Sequence, residues 1–212
     1  MIDALSKLLG SEARVKLLRL FLQNHGQGFD LEKLTSRTKI TARSLRPELK
    51  LLESVGFIRR KKFFIEVTKK HKHRPPLIHK KRVQGWFFEE SFPYARAFKA
   101  LVVDSAKVVG SDLSRLFRHV GRLRLLVVGG TFLNDEVARL DLMLVADGLK
   151  QAEVERSMRE LEAEMGRELN YAAFDTKNFR YRVEMFDHLI SEVLAGPHKK
   201  LVDNLNFRLP GN

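Results

Sequence analysis

Hydrophobic residues recur at helical spacing near the start of the chain. Between residues 11 and 24 they occupy one face of a predicted helix that has Ser11 as its N-cap and ends at Gly26. The residues of that face are Val15, Leu18, Phe21 and Leu22. This pattern predicts an amphipathic helix that packs one side against a core.

Two more helices follow with the same periodicity. Asp30 can cap a short helix at 31–38, and a tight turn at 39–41 leads to a third helix that ends at Gly56. The inward side chains are Leu31 and Leu34 in the short helix, and Leu45, Leu49 and Leu52 in the third. The first part of the chain is therefore predicted to contain a bundle of three helices.

Pro47 determines where the third helix is expected to begin. If the helix began at Thr41, Pro47 would lie in its interior and lack the N–H that bonds the Arg43 carbonyl, at a cost of up to ~3 kcal/mol. If Ser44 is the N-cap, Pro47 falls in the first turn, where this cost largely disappears. We therefore predict that the helix starts at Ser44 and that 41–43 belong to the turn.

Alternating aromatic and β-branched residues indicate two strands after the helices, at 63–67 and 83–90. The segment between them, 68–82, is polar and contains two prolines, so we expect a loop that is mobile from 69 to 76. The aromatic residues of the second strand are Trp86, Phe87 and Phe88. They can stack on bases or pack the hairpin against the helices, and their alternation favours packing.

The remainder of the chain is predicted to form a small mixed α/β domain. The expected elements are helices at 92–107 and 111–119, strands at 123–130 and 139–147, a helix at 151–166, a strand at 168–174 and a long helix at 176–194. Asp175 is the predicted cap of the long helix. We place the domain boundary between 91 and 92, with the helix at 92–107 linking the two domains or serving dimerisation.

Charge is distributed unequally between the two halves. Residues 1–100 hold 23 Lys+Arg and 9 Asp+Glu, whereas the rest of the chain holds 16 and 17. A basic half of this kind indicates nucleic acid, an anionic surface or solubility. The chain has no Cys, which excludes disulfides, zinc–thiolate sites and a thiol nucleophile. It has no apolar run of about 20 residues and no secretory signal pattern, so we expect a cytoplasmic protein without a membrane span.

The outward face of the third helix carries side chains that suit a DNA groove. Arg reads guanine edges and phosphates, and Ser and Thr bind phosphates. The candidate DNA-binding residues here are Thr41, Arg43, Ser44, Arg46 and Lys50. On an isolated helix, these residues would indicate only a face exposed to solvent. Here a short helix precedes them and a basic hairpin follows, and this context favours a DNA-binding role.

The predicted hairpin is strongly cationic. From Arg59 to Arg82 there are eleven Lys+Arg and one acid, Glu66. Cations that lie along a duplex gain free energy by releasing counterions from phosphates. The candidate phosphate ligands are Arg60, Lys61, Lys69, Lys70, Lys72, Arg74, Lys80 and Lys81. His71, His73 and His79 lack nearby carboxylates or thiolates, so we predict no metal site.

Two segments of the chain resemble known families. The first half is similar to winged helix-turn-helix proteins, through SKLLGSEARVKLLRLFL, SLRPELKLLESVGFI and KKRVQGWFFEESFPYARAFKAL. The second half resembles the minimal nucleotidyltransferases, through LLVVGGTFLNDEVARLDLMLVAD. The resemblance implies an α+β protein: a winged helix-turn-helix at 1–91, and at 92–212 a linking helix plus a small mixed α/β nucleotidyltransferase-like domain.

The departures from the nucleotidyltransferase pattern imply an inactive domain. Active members use Gly-Ser at the turn and an Asp-x-Asp pair on the next strand, where this chain has Gly129-Gly130 and Arg139-Leu140-Asp141. The third strand offers only Glu168 as a further acid. Because two Mg²⁺ ions need clustered carboxylates, we predict no catalytic residues and no cofactor. Gly129, Gly130, Arg139 and Asp141 remain as a nucleotide-binding remnant. In it Asp141 pairs with Arg139 or with another Arg of the same sheet, or Arg139 holds a phosphate.

These expectations combine into one functional hypothesis. The chain is predicted to be a sequence-specific, double-stranded DNA-binding transcriptional regulator, acting as a homodimer, whose second domain serves dimerisation or the sensing of a nucleotide or small-molecule effector. Two alternatives remain open: an active nucleotidyltransferase that modifies a small molecule or a protein hydroxyl, and an antitoxin-like protein that binds a partner through the acidic helix at 151–166.

Overall fold

A computed structural model describes residues 4–71, 74–104, 110–133, 135 and 137–205, with the backbone alone at 68–71, 74–77, 104, 110 and 111. The chain divides into two compact units. Unit 1 comprises residues 1–106 and 162–167, and unit 2 comprises 107–161 and 168–212. None of the helices in the described part of the chain combines the length and the apolar character that a membrane crossing requires.

Helices and strands both contribute substantially, so the fold class is α+β. The helices are α1 Ala4–Leu8, α2 Glu12–Gln23, α3 Leu31–Thr38, α4 Ala42–Ser54, α5 Ala95–Lys99, α6 Gly110–Leu116, α7 Gln151–Met165, α8 Thr176–Glu184 and α9 His188–Ala195. The strands are β1 Ile58–His71, β2 Arg74–Phe88, β3 Arg122–Val128, β4 Leu142–Asp147, β5 Tyr171–Asp175 and β6 Lys199–Asp203.

The first two predicted caps are confirmed. The Ser11 side chain accepts the Arg14 amide at 3.2 Å and begins α2, and Asp30 accepts the Lys33 amide at 2.8 Å and begins α3. All four predicted inward residues of α2 are buried, as is Leu34 of α3. Local capping chemistry and apolar spacing were therefore sufficient to define these two helices.

Helix α2 also buries two cations inside unit 1. The Lys16 ammonium lies 2.7 Å from Glu12 and 2.9 Å from Glu164, and Arg19 donates to the Val102 carbonyl at 2.7 Å. Burial opposes the charged form of Lys16, but the hydrogen bonds and charges of the two glutamates outweigh it and raise its pKa. These cations therefore serve the fold of unit 1.

The predicted start of α4 at Ser44 is wrong. Thr41 is the N-cap, its hydroxyl accepting the Ser44 amide at 3.4 Å, and Pro47 lies inside the helix. Starting at Ala42 keeps the core leucines of α4 buried on one face. Arg43 and Pro47 are both exposed, so water can bond the Arg43 carbonyl that the proline leaves without a helix partner.

The predicted loop at 68–82 is also wrong, because the strands β1 and β2 pair through most of it. Their antiparallel register runs from Ile58–Phe88 to Lys69–Leu77, then shifts before the His71–Arg74 pair. Polar residues suit both strands, since a two-stranded ribbon leaves both faces open to water. The shift in register lies opposite the two prolines, which cannot donate to a ladder.

Unit 1 extends past the predicted boundary at 91. Phe92 and Phe98 pack against its core at Phe57, with ring centroids 5.3 and 6.4 Å apart, and Val102 is fully buried in it. The helix predicted at 92–107 differs as well, because α5 begins at Ala95 and continues as a π-helical turn from Ala100 to Asp104. These apolar side chains complete the core of the helical bundle.

Unit 2 is built on a four-stranded sheet in the order β5-β4-β3-β6, in which β4 and β5 are parallel. The predicted long helix is two helices, because Phe186 adopts a positive φ of 53° and Asp187 caps α9. The Asp187 carboxylate accepts hydrogen bonds from the Leu189 and Ile190 amides at 3.0 and 3.2 Å, so local capping competes with continuation of α8. The lysine-containing edge strand β6 was not predicted.

Candidate functional site

The outward face of α4 presents the predicted side chains to solvent. Thr41, Arg43, Ser44, Arg46 and Lys50 are all exposed, and Leu45, Leu49 and Leu52 lie buried on the opposite side. Thr41 and Ser44 share a hydroxyl contact of 3.2 Å at the N-terminus of the helix. The structure therefore brings these five residues together on one surface.

The hairpin has two distinct faces, which the strand register defines. Ile58 and Phe88 lie in the core of unit 1, and we call the continuation of their side the helix-side face. Beyond Arg60 at its base, the exposed side chains that the structure describes on this face are Lys62, Phe64, Glu66, Ile78, Lys80, Arg82 and Gln84. We call the opposite side the far face; it carries Lys61, Phe63, Ile65, Val67, Lys81, Val83 and Phe87.

The two faces differ in chemistry. The apolar side chains of the far face are half-buried, and Phe63 packs edge-to-face on Phe87 with centroids 5.2 Å apart. Phe87 in turn covers Gly28, where a Cβ would lie 2.4 Å from the ring. The helix-side face instead carries mainly polar and cationic side chains. Its cations Lys62, Lys80 and Arg82 are all exposed to solvent.

Glu53 joins the base of the hairpin to α4. Its Oε2 accepts from Arg60 Nη2 at 3.0 Å and from Trp86 Nε1 at 3.3 Å, and the Arg60 guanidinium lies 5.0 Å from the Trp86 ring centroid. Phe88 is buried and Trp86 packs on the core, which confirms the predicted packing role of the aromatic residues. Arg60, predicted as a phosphate ligand, is thus engaged in positioning the hairpin.

A second ion pair lies at the same base. Arg59 Nη1 is 3.1 Å from Glu89 Oε2. Hydrogen bonds from the Ser91 hydroxyl and amide hold the pKa of Glu89 below its ordinary value, so this carboxylate stays ionised beside the arginine. The cations nearest the core are therefore neutralised within unit 1.

The other predicted hairpin ligands are divided between the faces. Lys80 lies on the helix-side face, whereas Lys61 and Lys81 lie on the far face. The side chains of Lys69, Lys70 and Arg74 lie outside the described part of the structure, as does the whole of Lys72. Lys62 and Arg82 were missed as candidates; counting alternate positions outward from Phe88 and Ile58 would have placed both on the helix-side face.

In unit 2, Asp141 is buried behind the Gly129-Gly130 turn. Its Oδ1 accepts the Thr131 amide at 2.8 Å and its Oδ2 accepts the Asn170 amide at 2.9 Å. Gly130 has a φ of 48°, and a Cβ there would lie 2.5 Å from the Asp141 carboxylate. Asp141 therefore ties the turn to the residue before β5, and the glycine makes that close approach feasible.

Of the alternatives considered for Arg139, a pair with Asp141 is not what the structure shows. Arg139 Nε lies 3.4 Å from Glu192 Oε2 on α9, and His188 Nδ1 lies 3.3 Å from the same oxygen. Asp141 is satisfied by backbone amides, and Arg139 is 60% exposed. Alternate residues of a strand share a face, but Arg139 and Asp141 precede β4, which begins at Leu142, so their side chains can enter different environments.

Arg139 and Gly129 line a shallow cleft of about 200 Å³, together with Asp135, Glu192 and Pro197. Two predicted members of the nucleotide-binding remnant therefore face one cavity, while Asp141 lies buried behind the turn. Throughout the part of the chain that the structure describes, no group of three or more His, Asp or Glu side chains is placed to hold a metal ion. Arg139 can bind an anion in this cleft if the anion replaces Glu192 as the partner of its guanidinium.

Comparisons with known proteins add no further assignment. No protein-family model matches the chain. No curated protein and no solved structure is significantly similar to it.

Proposed function

We propose that the chain is a sequence-specific, double-stranded DNA-binding transcriptional regulator, with a winged helix-turn-helix in unit 1. In this proposal α3 and α4 are the helix-turn-helix, α4 is the recognition helix and the β1–β2 hairpin is the wing. One observation carries it: the exposed face of α4 presents Arg43, Arg46 and Lys50 in the same unit as the cationic helix-side face of the hairpin.

The distribution of ion pairs supports this assignment. The ion pairs described in unit 1 include those of Arg14, Lys16, Arg19, Arg59 and Arg60. Those five stabilise the bundle or the hairpin base. These pairs do not use the outward cations of α4 or the helix-side cations beyond Arg60, so a phosphate backbone can neutralise those cations without breaking any of them.

On a duplex, the two surfaces would contribute differently. Arg43 and Arg46 lie in the N-terminal half of α4, which is the part of a recognition helix that reaches base edges in the major groove. Lys62, Lys80 and Arg82 would contact phosphates and add affinity without sequence preference. We propose a homodimer, because proteins of this type commonly read two half-sites about 34 Å apart.

Selection from a random duplex library, at two salt concentrations, tests the proposal. We expect wild-type protein to enrich one sequence class with two-fold symmetry at both concentrations. The double variant Arg43→Ala/Arg46→Ala should still retain duplex DNA at low salt but enrich nothing. Failure of the wild type to enrich any sequence would overturn the assignment.

We propose that unit 2 is a nucleotidyltransferase-like domain that does not catalyse transfer and that senses a ligand or mediates dimerisation. Asp141, the residue at the second metal-ligand position of the resemblance, uses both carboxylate oxygens on backbone amides. The first position is Arg139, which would repel Mg²⁺. Incubation with labelled nucleoside triphosphates and Mg²⁺ tests this, since stoichiometric label transfer would contradict it.

In this proposal the effector is an anion such as a nucleotide, which Arg139 binds in place of Glu192. A thermal-shift series with ATP, with Mg²⁺ and with both distinguishes the alternatives. If Arg139 holds phosphate, ATP alone stabilises the wild type and Arg139→Asp loses that gain. Absence of any shift with either protein would contradict ligand sensing and leave dimerisation as the proposed role of unit 2.

A further inference from the structure

One aromatic side chain of the hairpin is placed differently from the others. Phe64 is 65% exposed on the helix-side face, whereas Trp86, Phe87 and Phe88 are buried or half-buried. Its cross-strand partner is Arg82, and the neighbouring pairs on the same face are Lys62–Gln84 and Glu66–Lys80. The chain therefore holds a solvent-exposed phenyl ring beside three cations and one acid, Glu66.

The fold does not account for this exposure. Phe63, the preceding residue, packs on Phe87 and contributes to the apolar far face. The exposed Phe64 ring keeps apolar area in water, which costs free energy that a polar side chain at the same position would not cost. When a cationic surface binds a nucleic acid, an exposed ring on that surface can be buried between bases.

We infer that the hairpin inserts Phe64 as a wedge between base pairs in the minor groove of duplex DNA, and thereby unwinds and bends it. This inference rests on the proposed DNA-binding function and specifies how the wing acts. Apolar side chains flanked by cations make such wedges: the cations hold the phosphates while the ring replaces part of the base stack. Gln84, on the same face opposite Lys62, can reach base edges in that groove.

The spacing along the hairpin is compatible with simultaneous binding by α4. Phe64 lies four residues beyond Arg60, the residue that contacts α4 through Glu53, which corresponds to roughly 13 Å of extended strand. Half a turn of B-DNA, which separates a major groove from the adjacent minor groove, is about 17 Å. The hairpin therefore extends far enough from its contact with α4 to approach a neighbouring groove.

A duplex fits this surface better than a single strand does. Single-strand binders stack successive bases on several exposed aromatic rings along a groove. Among the side chains that the structure describes beyond the hairpin base, the large apolar ones exposed on the helix-side face are Phe64 and Ile78, which occupy different cross-strand pairs. One aromatic ring between cations is a wedge rather than a platform.

Relaxation of a closed circular plasmid by topoisomerase I, in the presence of the full-length protein, tests the inference. Insertion between base pairs unwinds DNA, so plasmid recovered after removal of the wild-type protein should be negatively supercoiled. At equal occupancy, Phe64→Ala should retain less than about one third of that change, whereas Phe64→Leu, still an apolar wedge, should retain most of it. Tyr94→Ala removes a ring that is 64% exposed elsewhere in unit 1 and should change nothing.

Occupancy comes from fluorescence anisotropy with a 30-base-pair duplex, and a melting curve for each variant verifies folding. Wild-type protein that binds this duplex without changing plasmid supercoiling, or a Phe64→Ala variant that unwinds as well as wild type, overturns the wedge and leaves DNA binding intact. Tighter wild-type binding to a single strand than to the duplex also overturns it. Failure to bind any duplex overturns the proposed function itself.

Discussion

The outward face of α4 in unit 1 and the Arg139 cleft in unit 2 differ in whether their charged side chains have partners within the protein. On the surface of unit 1, Arg43, Arg46 and Lys50 point into solvent from a helix whose other side is buried. In unit 2, Asp141 accepts two backbone amides and Arg139 pairs with Glu192. The cations of the first region are exposed to solvent and can pair with a binding partner. The charged groups of the second region already have partners within unit 2.

In the proposed function, this difference separates a DNA-binding surface in unit 1 from an inactive site in unit 2. Catalysis by metal ions requires carboxylates that are free to coordinate, and a carboxylate held by two amides is already satisfied. Exposed cations lose little hydration in the free protein and gain when they displace counterions from phosphate. We therefore expect mutations in the two regions to affect different quantities: stability in unit 2 and DNA affinity in unit 1.

The largest effect is expected at Asp141. Asp141→Ala leaves the Thr131 and Asn170 amides without their acceptor in a buried site, and should lower the free energy of unfolding by about 3 kcal/mol. Asp141→Asn keeps one acceptor oxygen and should lose about half as much. Urea denaturation followed by far-UV circular dichroism measures both. The control Arg139→Ala, at an exposed ion pair, should lose less than about 1 kcal/mol; an equal loss in both variants would contradict the comparison.

On the proposed DNA-binding surface, Arg43→Ala and Arg46→Ala should each weaken binding to the selected duplex by roughly 1–3 kcal/mol without changing the free energy of unfolding. Anisotropy titrations and urea denaturation measure the two quantities. Arg14, whose Nε lies 2.8 Å from Glu48, provides a matched control in the same unit. Arg14→Ala should lower stability and leave the affinity of folded protein unchanged, and the reverse pattern would contradict our assignment of the outward face.

The faces of the hairpin should differ in salt dependence. Lys62→Gln/Lys80→Gln/Arg82→Gln removes the helix-side cations, so the slope of log K against log salt should flatten by up to about 3. The far-face variant Lys61→Gln/Lys81→Gln should flatten it by less. Titrations at several salt concentrations give both slopes. Equal flattening per residue would mean that the two faces approach DNA alike.

The smallest effect is a dependence of stability on pH at Asp187 in unit 2. The Ile190 amide, aided by Arg182 and Leu189 and opposed by partial burial, holds the pKa of this carboxyl below its ordinary value of 3.8. Its stabilisation is therefore fully present above pH 3.8 and is lost as the pH falls through the lower, folded value. Asp187→Ala should cost about 1 kcal/mol at neutral pH, as loss of a helix cap does.

Below the folded pKa of Asp187 the difference between Asp187→Ala and wild type should shrink to what a neutral cap contributes, because the carboxyl is then protonated in both the folded and the unfolded protein. Urea denaturation at a series of pH values measures this. Glu184→Gln, at an exposed acid on the preceding helix, should show no such crossover. A stability difference for Asp187→Ala that is constant with pH would show that the charge of Asp187 does not contribute.

Local signals in the sequence were sufficient for much of unit 1. Ser11 and Asp30 were identified as caps because a short polar side chain before an apolar repeat satisfies free amides at a helix start. The outward residues of α4 followed from the positions of its leucines. The same approach failed at Pro47, because the cost of a helical proline depends on whether water can reach the carbonyl it leaves unpaired, which is a property of the folded surface.

The sequence by itself determined which residues are apolar, where most helices begin and which half of the chain is cationic, since these depend on neighbours within a few positions. Only the tertiary structure decided that Lys62 and Arg82 share a face with Phe64, that Phe92 and Phe98 complete the first core, and that Asp141 bonds amides rather than Arg139. Strand register, core membership and the partners of a buried carboxylate are set by contacts between residues far apart in the chain, and the periodicity of one segment does not encode them.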